Sequence, residues 1–260
     1  MSLVYVFAAS KQEGQPVEQI TGTAASGASV PGVATPRAGV NELVLIIGGM
    51  GPKAARAKAQ DVLGSASLSN SSNRAAKRKP DAVLVIGLCG ALTDRLPETR
   101  IVTYTGCLST EPGKPPLNCS AAITHRLLEL LASRHISCEP VVAITSPLIA
   151  VTRNDKLVLG KRGASVVDME SYEIMSAAAK AGVPAAALRV VSDSLDRTMP
   201  DFNQALNEVG ALDGLKAFEV ALTSPIQTWQ LIAANKRAMQ YLGKALEIVL
   251  PADCFSQTKS

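Results

Sequence analysis

Residues 166–196 read VVDMESYEIMSAAAKAGVPAAALRVVSDSLD: an apolar strand, an acidic turn, an alanine-rich helix, a second apolar strand and a second acidic turn. A strand, a helix and a further strand in succession form the repeating unit of α/β proteins. The two turns place Glu170 and Asp193 at the ends of strands that are otherwise apolar. Because an ionised carboxylate is costly to bury unless it is paired or used, these two acids are candidate functional residues.

Similar apolar runs recur along the rest of the chain and alternate with stretches of helical periodicity. The runs predicted as strands are 3–9, 42–47, 81–92, 100–106, 140–145 and 164–168. Continuous apolar runs are typical of strands that are buried on both faces. The sequence therefore predicts an α/β fold of three layers, in which helices flank a central mixed, mostly parallel twisted sheet.

No repeat or linker divides the chain, so residues 1–260 are predicted to form a single domain. The segment from about 14 to 40 is rich in Gly, Ser, Thr and Ala and is interpreted as hairpin-like strands and loops. Residues 65–79 are polar and end in a basic cluster, which indicates a solvated loop and helix end, with phosphate binding as the alternative role. Helical periodicity from about 203 to 248, interrupted by Pro225, predicts C-terminal helices.

Composition excludes several classes of protein. The net charge of +4 is spread along the chain and gives no indication of a nucleic-acid partner. The five cysteines form no CxxC pair and only two histidines are present, so neither a disulfide framework nor a metal site is expected. The N-terminus lacks the features of a signal peptide, and no apolar run reaches membrane-spanning length. The expectation is a cytoplasmic protein without stable membrane insertion.

Two glycine-rich turns also follow predicted strands, GGMG at 48–51 and GLCG at 87–90. Backbone amides at such turns can bind an anion, and glycine lets the backbone approach a ligand closely. Tight turns also use glycine for purely structural reasons. Neither turn matches GxGxxG, which disfavours a nicotinamide-dependent enzyme. The candidate anion or water pocket comprises Gly48, Gly49, Gly51, Gly87 and Gly90.

Each acidic turn has a structural interpretation beside the functional one. Glu170 and Asp193 could merely cap helix or turn amides. Asp168 could instead supply the cap of the helix that follows it, which would leave Glu170 free for another partner.

The order of these motifs resembles the family-I nucleoside phosphorylases and nucleosidases. That family includes the methylthioadenosine/S-adenosylhomocysteine nucleosidases and the hexameric purine nucleoside phosphorylases. The resemblance covers most of the chain through AASKQE, GGMGPKAA, KPDAVLVIGLCGAL, TSPLIAV, DMES and SD, in that order. The C-terminal segment SDSLDRTMPDFNQALNEVG looks most like the hopanoid-associated branch, which is thought to remove adenine from an adenosyl-hopane.

The resemblance implies a role for each matching residue. Met169 and Glu170 would hold the ribose, since a carboxylate accepts hydrogen bonds from two hydroxyls and a thioether offers an apolar surface. Asp193 would face purine N7 and deliver a proton. Glu13 would orient the attacking water, although a slip of one residue would place Gln12 there instead. The residues implied in base recognition are Leu148, Ile149, Ala150, Val151 and Ser192.

The implied chemistry explains why two acids with different surroundings are needed. Cleavage of an N-glycosidic bond passes through an oxocarbenium-like sugar, and a purine leaves poorly until it is protonated. Asp193 must therefore hold a proton, which an apolar strand end would favour, whereas Glu170 must be ionised to bind the sugar.

The chain departs from the phosphorylase pattern at Val85 and Leu88, where the resemblance predicts an Arg and a Ser around the turn. Neither Val nor Leu can donate a side-chain hydrogen bond. The departure favours hydrolysis, with phosphorolysis as the alternative; Arg37, Arg74 and Arg153 are then candidates to hold phosphate as co-substrate.

The sequence is thus consistent with three functions: a purine nucleosidase, a purine nucleoside phosphorylase, or a non-catalytic nucleoside-binding protein with the same fold. The last would not need Asp193. No cofactor is expected. The resemblance also implies a homo-oligomer, with the helices around Trp229 and Tyr241 as candidate contacts; the alternative is that they pack on their own sheet.

Overall fold

The computed structural model describes residues 2–22, 33–34, 41–65, 78–207 and 214–256, and within them it shows one mixed sheet with helices on both faces. The strands are β1 (Ser2–Ala8), β2 (Val33–Ala34), β3 (Asn41–Ile47), β4 (Ala82–Ala91), β5 (Ile101–Ser109), β6 (Leu117–Asn118), β7 (Cys138–Thr145), β8 (Val166–Asp168) and β9 (Ala185–Asp193). The helices are α1 (Lys11–Thr21), α2 (Pro52–Ser65), α3 (Ala121–Ser133), α4 (Arg153–Gly160), α5 (Ser171–Lys180), α6 (Gly214–Thr223) and α7 (Pro225–Val249), with a short 3-10 helix at Phe202–Ala205.

The apolar runs form strands whose two faces are both covered. In β1, Leu3, Tyr5 and Phe7 belong to one core cluster, whereas Val4 and Val6 belong to the other. The first cluster includes side chains of α2 and α5, and the second includes side chains of α1, α3 and α7. This arrangement confirms the predicted three-layer α/β fold.

The sheet is mixed, as predicted. The strand order is β2-β3-β1-β4-β8-β7-β5-β6, and β9 pairs with both β4 and β5. β1 pairs in parallel with β3 and β4, β4 with β9, β5 with β7, and β7 with β8. The antiparallel pairs are β2–β3, β4–β8, β5–β6 and β5–β9.

These pairings close a circuit of five strands, β4–β8–β7–β5–β9 and back to β4. β8 joins β4 only at Gly90 and Ala91, beside the place where Gly90 also pairs with Asp193 of β9. The carboxyl ends of β4, β8 and β9 therefore meet at one point, whereas β1 ends beside the middle of β4, just after Phe7 pairs with Val85.

The N-terminal segment corrects one prediction. Residues 14–21 belong to α1 rather than to hairpin-like strands and loops, despite Gly14 and Pro16 within the helix. Ser10 caps the helix by accepting from the amide of Glu13. A Cβ on Gly14 would lie 3.0 Å from side-chain atoms of Leu45 and Ile47, so this glycine allows α1 to approach β3 closely. Packing and capping here outweigh the low helix propensity of the two residues.

The C-terminal region agrees with the predicted helices. Pro225 begins α7, and the second half of that helix is buried through residues such as Ala238, Leu242 and Leu246. The predicted polar loop at 65–79 lies largely outside the described residues, as do Arg37 and Arg74. Among the described helices, none is both long and apolar enough to cross a membrane.

Candidate active site

A cavity of about 1420 Å³ opens where β1, β4, β8 and β9 end. It is lined by many of the residues predicted for the site, and these come from five separate parts of the chain. The predicted residues that line it are Glu13, Gly90, Leu148, Ile149, Ala150, Met169, Glu170, Ser192 and Asp193. The predicted residues that are absent from its described lining are Gly48, Gly49, Gly51, Gly87 and Val151.

Glu13 lies in the first turn of α1 and points into the site. Its Oε2 accepts from the amide of Ala9 at 2.9 Å, and its Oε1 accepts from the amide of Leu88 at 3.0 Å. Gln12 also lines the cavity but is exposed, whereas Glu13 is buried. A Cβ on Gly87 would lie 2.6 Å from Oε1 of Glu13, and Gly87 has a φ of 131°, so the glycine at this position makes room for the carboxylate.

Asp168 caps α5, which leaves the Glu170 side chain available. Oδ1 of Asp168 accepts from the amides of Glu170 and Ser171 at 3.2 and 3.1 Å, and from Oγ1 of Thr145 at 2.7 Å. Its Oδ2 accepts from the hydroxyl of Tyr104 at 3.0 Å. The hydrogen-bonding capacity of Asp168 is thus used in holding the turn.

Glu170 makes no capping hydrogen bond with its side chain. Its Oε1 accepts from the amide of Gly51 at 3.0 Å, and its Oε2 lies 3.5 Å from Nη2 of Arg189. One amide of the first glycine turn is therefore bound to this carboxylate, which orients Glu170 in the cavity wall.

Arg189 is a component of the site that sequence reasoning missed. It lies in the middle of β9, fully buried, and donates from Nη1 to the carbonyl of Leu88 at 2.9 Å and from Nη2 to Oγ of Ser171 at 3.0 Å. Burial opposes its charged form, but Asp168 and other neighbours raise the pKa of Arg189 above its usual value. A permanent positive charge therefore sits behind Glu170.

The pKa of Glu170 is nevertheless raised, to about 7. Burial is the largest cause, and the carboxylates of Asp168 and Glu13 add to it, while Arg189 and the amide of Gly51 act in the opposite direction. The carboxyl group therefore changes charge near neutral pH, and further hydrogen bonds donated to it would favour its ionised form.

This raised pKa predicts a pH-dependent effect of Glu170→Gln on stability. The pKa of Glu170 is about 7 in the native state and 4.5, its usual value, in the unfolded state. Between these two pH values the native state binds more protons than the unfolded state, so rising pH lowers the free energy of unfolding of the wild type. Glutamine does not titrate. The free energy of unfolding of the variant minus that of the wild type should therefore be larger at pH 8 than at pH 5, by about 1–3 kcal/mol. Urea unfolding at both pH values measures this; an equal difference at both would contradict it.

The surroundings of Asp193 differ from the apolar strand end that the sequence predicted. Its Oδ2 lies 2.6 Å from Nζ of Lys156, and its Oδ1 accepts from Oγ of Ser192 at 2.7 Å. The reason is that α4 passes beside the end of β9 and brings a lysine from a polar stretch of sequence. A Cβ on Gly90 would lie 2.9 Å from Oδ2 of Asp193, so this glycine of β4 admits the acid.

The segment predicted to recognise the base is paired with the 3-10 helix. The amide of Ile149 donates to Oδ1 of Asn203 at 2.8 Å, and Nδ2 of Asn203 donates to the carbonyl of Ile149 at 3.0 Å. Leu148 exchanges hydrogen bonds with Ser146, and the carbonyl of Val151 accepts from the amide of Met199. The main chain thus presents one donor and one acceptor at Ile149, which lines the cavity.

The amides of the glycine-rich turns are largely engaged within the protein. Gly48 donates to the carbonyl of Ala8, Gly51 donates to Glu170, and Leu88 donates to Glu13. Arg153, proposed from sequence as a phosphate ligand, is half exposed and pairs with Asp196 and Asp94. It does not belong to the described lining of the cavity.

Comparison with known proteins agrees with this architecture. A family model described as the phosphorylase superfamily matches residues 32–213. None of the curated proteins compared with the chain matches it significantly.

Several solved structures share the fold over nearly their whole length. A 5′-methylthioadenosine/S-adenosylhomocysteine nucleosidase from Helicobacter pylori, with butyl-thio-DADMe-Immucillin-A, aligns with a TM-score of 0.71 at 14% identity, covering 96% of this chain and 98% of its own. The futalosine hydrolase of the same organism aligns with a TM-score of 0.70 at 14% identity, and the alignment covers 96% of this chain and 97% of the hydrolase. The 5′-methylthioadenosine/S-adenosylhomocysteine nucleosidase from Neisseria meningitidis, in complex with methylthio-immucillin-A, aligns with a TM-score of 0.71 at 15% identity. That alignment covers 96% of this chain and 99% of the nucleosidase. At these identities the likeness shows the fold.

Proposed function

The chain belongs to the phosphorylase superfamily, and from the residues of its cavity we propose that it is a nucleosidase that hydrolyses the N-glycosidic bond of a purine nucleoside. In this proposal Asp193 protonates the purine, Glu170 and Met169 hold the ribose, and Glu13 activates the attacking water. The superfamily supports the class of reaction, and the three carboxylates around one cavity support the roles.

The observation that carries the proposal is how Glu13 is held. Two backbone amides, of Ala9 and Leu88, bind its two oxygens and fix the plane of the carboxylate at the wall of the cavity. A fixed carboxylate beside the site is what a general base needs in order to take a proton from water. A binding protein would have no need to bury this acid.

The same arrangement favours water over phosphate as the nucleophile. Amides that could cradle a phosphate are bound to Glu13 and Glu170, and both carboxylates would repel a phosphate anion placed between them. The described cationic side chains that line the cavity, Lys236 and Lys244, both belong to α7. Hydrolysis is therefore the proposed reaction and phosphorolysis the alternative.

The main chain at Ile149 supports an adenine-type base. The carboxamide of Asn203 presents an acceptor and a donor side by side to the amide and carbonyl of Ile149. The Watson–Crick edge of adenine presents the same pair, N1 as acceptor and the N6 amino group as donor. Guanine and hypoxanthine present the opposite pair, a donor at N1 and an acceptor at O6. In the orientation that places position 1 of the purine at the amide of Ile149 and position 6 at its carbonyl, adenine would satisfy both main-chain groups, whereas guanine and hypoxanthine would satisfy neither.

The size of the cavity supports a substituent on the 5′ carbon of the sugar. Its volume of about 1420 Å³ exceeds the 300–1,000 Å³ typical of small-molecule sites. Besides the residues already named, it is lined by apolar side chains of α1 and α7, including Ile20, Leu231, Ile232 and Met239. A bulky apolar 5′ group would suit this lining, in keeping with the resemblance of the C-terminal segment to the hopanoid-associated branch.

Assembly and location in the cell stay predictions. Trp229 is 71% exposed and Tyr241 is 50% exposed, whereas the later part of α7 packs on its own sheet. Leu215, Phe218, Leu222 and Ile226 are also exposed on α6 and the start of α7. This apolar face is the contact that we propose for a homo-oligomer in the cytoplasm.

Release of free base measures the proposed activity directly. The purified protein is incubated with adenosine, methylthioadenosine, a 5′-alkylthioadenosine with a longer chain, and guanosine, each with and without phosphate, and both products are identified. We expect adenine and free sugar without phosphate, faster for the 5′-substituted substrates and slowest for guanosine. A sugar 1-phosphate that forms only with phosphate would establish the phosphorylase instead. Binding without release of base from any substrate would identify a nucleoside-binding protein.

A further inference from the structure

We propose that Lys156 is a positioning residue for the general acid: it fixes the carboxyl group of Asp193 and stabilises the carboxylate that proton transfer leaves behind. This inference rests on the proposed function, in which Asp193 protonates the purine.

Lys156 is placed in an unusual way for a lysine. Its helix, α4, is capped at its start by a reciprocal pair of hydrogen bonds between Thr152 and Asp155. Lys156 is the buried residue of this helix, and its side chain is 0% exposed. Lysines are almost never fully buried unless they are paired, because removing an ammonium group from water is costly.

All three donors of the ammonium group have acceptors at the end of β9. Nζ lies 2.6 Å from Oδ2 of Asp193, and it donates to the carbonyls of Ser194 at 2.6 Å and Arg197 at 3.0 Å. A lysine ammonium has three donors, so none is left unpaired. The two carbonyls hold Nζ in place independently of Asp193, and the ammonium therefore stays beside the carboxyl group in both of its protonation states.

The carboxyl group of Asp193 is fixed from both sides. Lys156 binds Oδ2, and Oγ of Ser192 donates to Oδ1 at 2.7 Å. With one partner on each oxygen, the plane of the carboxyl group is set before any substrate arrives. Such preorganisation lets a catalytic group act without reorganising during the reaction.

The chemical step shows where the charge of Lys156 has its effect. As the C1′–N9 bond breaks, its electron pair moves into the purine; the O–H bond of Asp193 breaks and an N7–H bond forms. Asp193 becomes a carboxylate in a site where it is only about 5% exposed. For enzyme in which Asp193 is protonated, an ammonium 2.6 Å away stabilises the developing carboxylate more than the neutral acid, and therefore lowers the barrier of the proton-transfer step itself.

The test compares two leaving groups in three single variants and one double variant. Lys156→Met keeps the bulk and removes the charge, Asp193→Asn removes the acid, and Lys161→Met removes an exposed lysine just beyond the same helix. The substrates are adenosine and 4-nitrophenyl riboside, whose 4-nitrophenolate leaves without protonation. For adenosine, Lys156→Met should lower kcat by roughly 10- to 100-fold, part of the 10²–10⁴-fold that general acids contribute. KM should stay within about threefold, and Lys161→Met should match the wild type.

The nitrophenyl substrate separates this role from a structural one. If Lys156 acts through Asp193, both Lys156→Met and Asp193→Asn should spare its cleavage, and adding Lys156→Met to Asp193→Asn should cost little further rate on adenosine. Equal loss on both substrates, or full adenosine activity in Lys156→Met, would overturn the proposal. If the wild type cleaves adenosine but not the nitrophenyl riboside, two results on adenosine test the proposal instead. They are a loss in kcat without a comparable change in KM for Lys156→Met, and the small further loss when Lys156→Met is added to Asp193→Asn. A wild type that cleaves neither substrate would count against the proposed function itself.

Discussion

Asp193→Asn should lower the rate of purine release by about 10²–10⁴-fold, which is the range that general acid catalysis contributes. Asparagine has nearly the shape of aspartate, and its oxygen can still accept from Lys156 or Ser192, but it has no acidic proton to deliver to N7. The purine would then have to leave as an anion. We expect kcat to carry the loss and nucleoside binding to remain.

The matched control for this variant is Asp196→Asn, three residues further along the same segment. Asp196 is exposed and pairs with Arg153 at the surface, so its replacement should leave the rate within about twofold, since surface ion pairs contribute little. Thermal unfolding of both variants shows whether the fold persists. If Asp193→Asn released adenine at the wild-type rate, Asp193 would not be the proton donor.

Glu13→Gln should have the second large effect, a fall of about 10²–10⁴-fold in hydrolysis. Glutamine keeps the length of the side chain but is not basic and cannot take a proton from water. Its carboxamide can also accept from only one of the two amides, of Ala9 and Leu88, that bind the carboxylate. The amino group would face the other amide, so the side chain would lose part of its orientation as well as its basicity.

The neighbouring residue Gln12 provides the control, because it was the alternative candidate for this position. Gln12 is exposed at the cavity, and Gln12→Ala should leave the hydrolysis rate within a few-fold of the wild type. Steady-state kinetics on the same nucleoside compare the two variants. A large loss in Gln12→Ala with a normal rate in Glu13→Gln would transfer the role of base to the other residue and contradict the proposed mechanism.

The fold was predictable because its central strands are continuous apolar runs separated by clear helices. The stretch at 166–196 contains β8, α5 and β9 in the predicted order. α1 was missed because Gly14 and Pro16 disfavour helix locally, and the packing of Gly14 against Leu45 and Ile47 is a tertiary effect that the local sequence does not show.

The acids of the candidate site were also visible in the sequence, but their cationic partners were not recognised. Arg189 had a usable signal: an arginine within the apolar run ALRVV needs a buried partner, and the acids of the two turns are among the few acids close by in the sequence. Lys156 had none, because it follows Asn154 and Asp155 in NDKLVLGKR, a segment with two further basic residues, where a solvated lysine is the ordinary expectation. Its burial results from the position of α4 beside β9.

The closed circuit of five strands also means that the candidate site cannot form during synthesis of the chain until β9 has been made. β4 and β5 belong to the first half of the sequence, yet each has β9 as a partner, and β9 ends at residue 193. Until β9 has left the ribosome, one edge of β4 and one edge of β5 present unpaired amides and carbonyls. Any β4 or β5 that forms before β9 emerges therefore exposes an open apolar edge, and partly folded species of this kind are prone to aggregate. The strand that covers these edges is the one that carries Arg189 and Asp193.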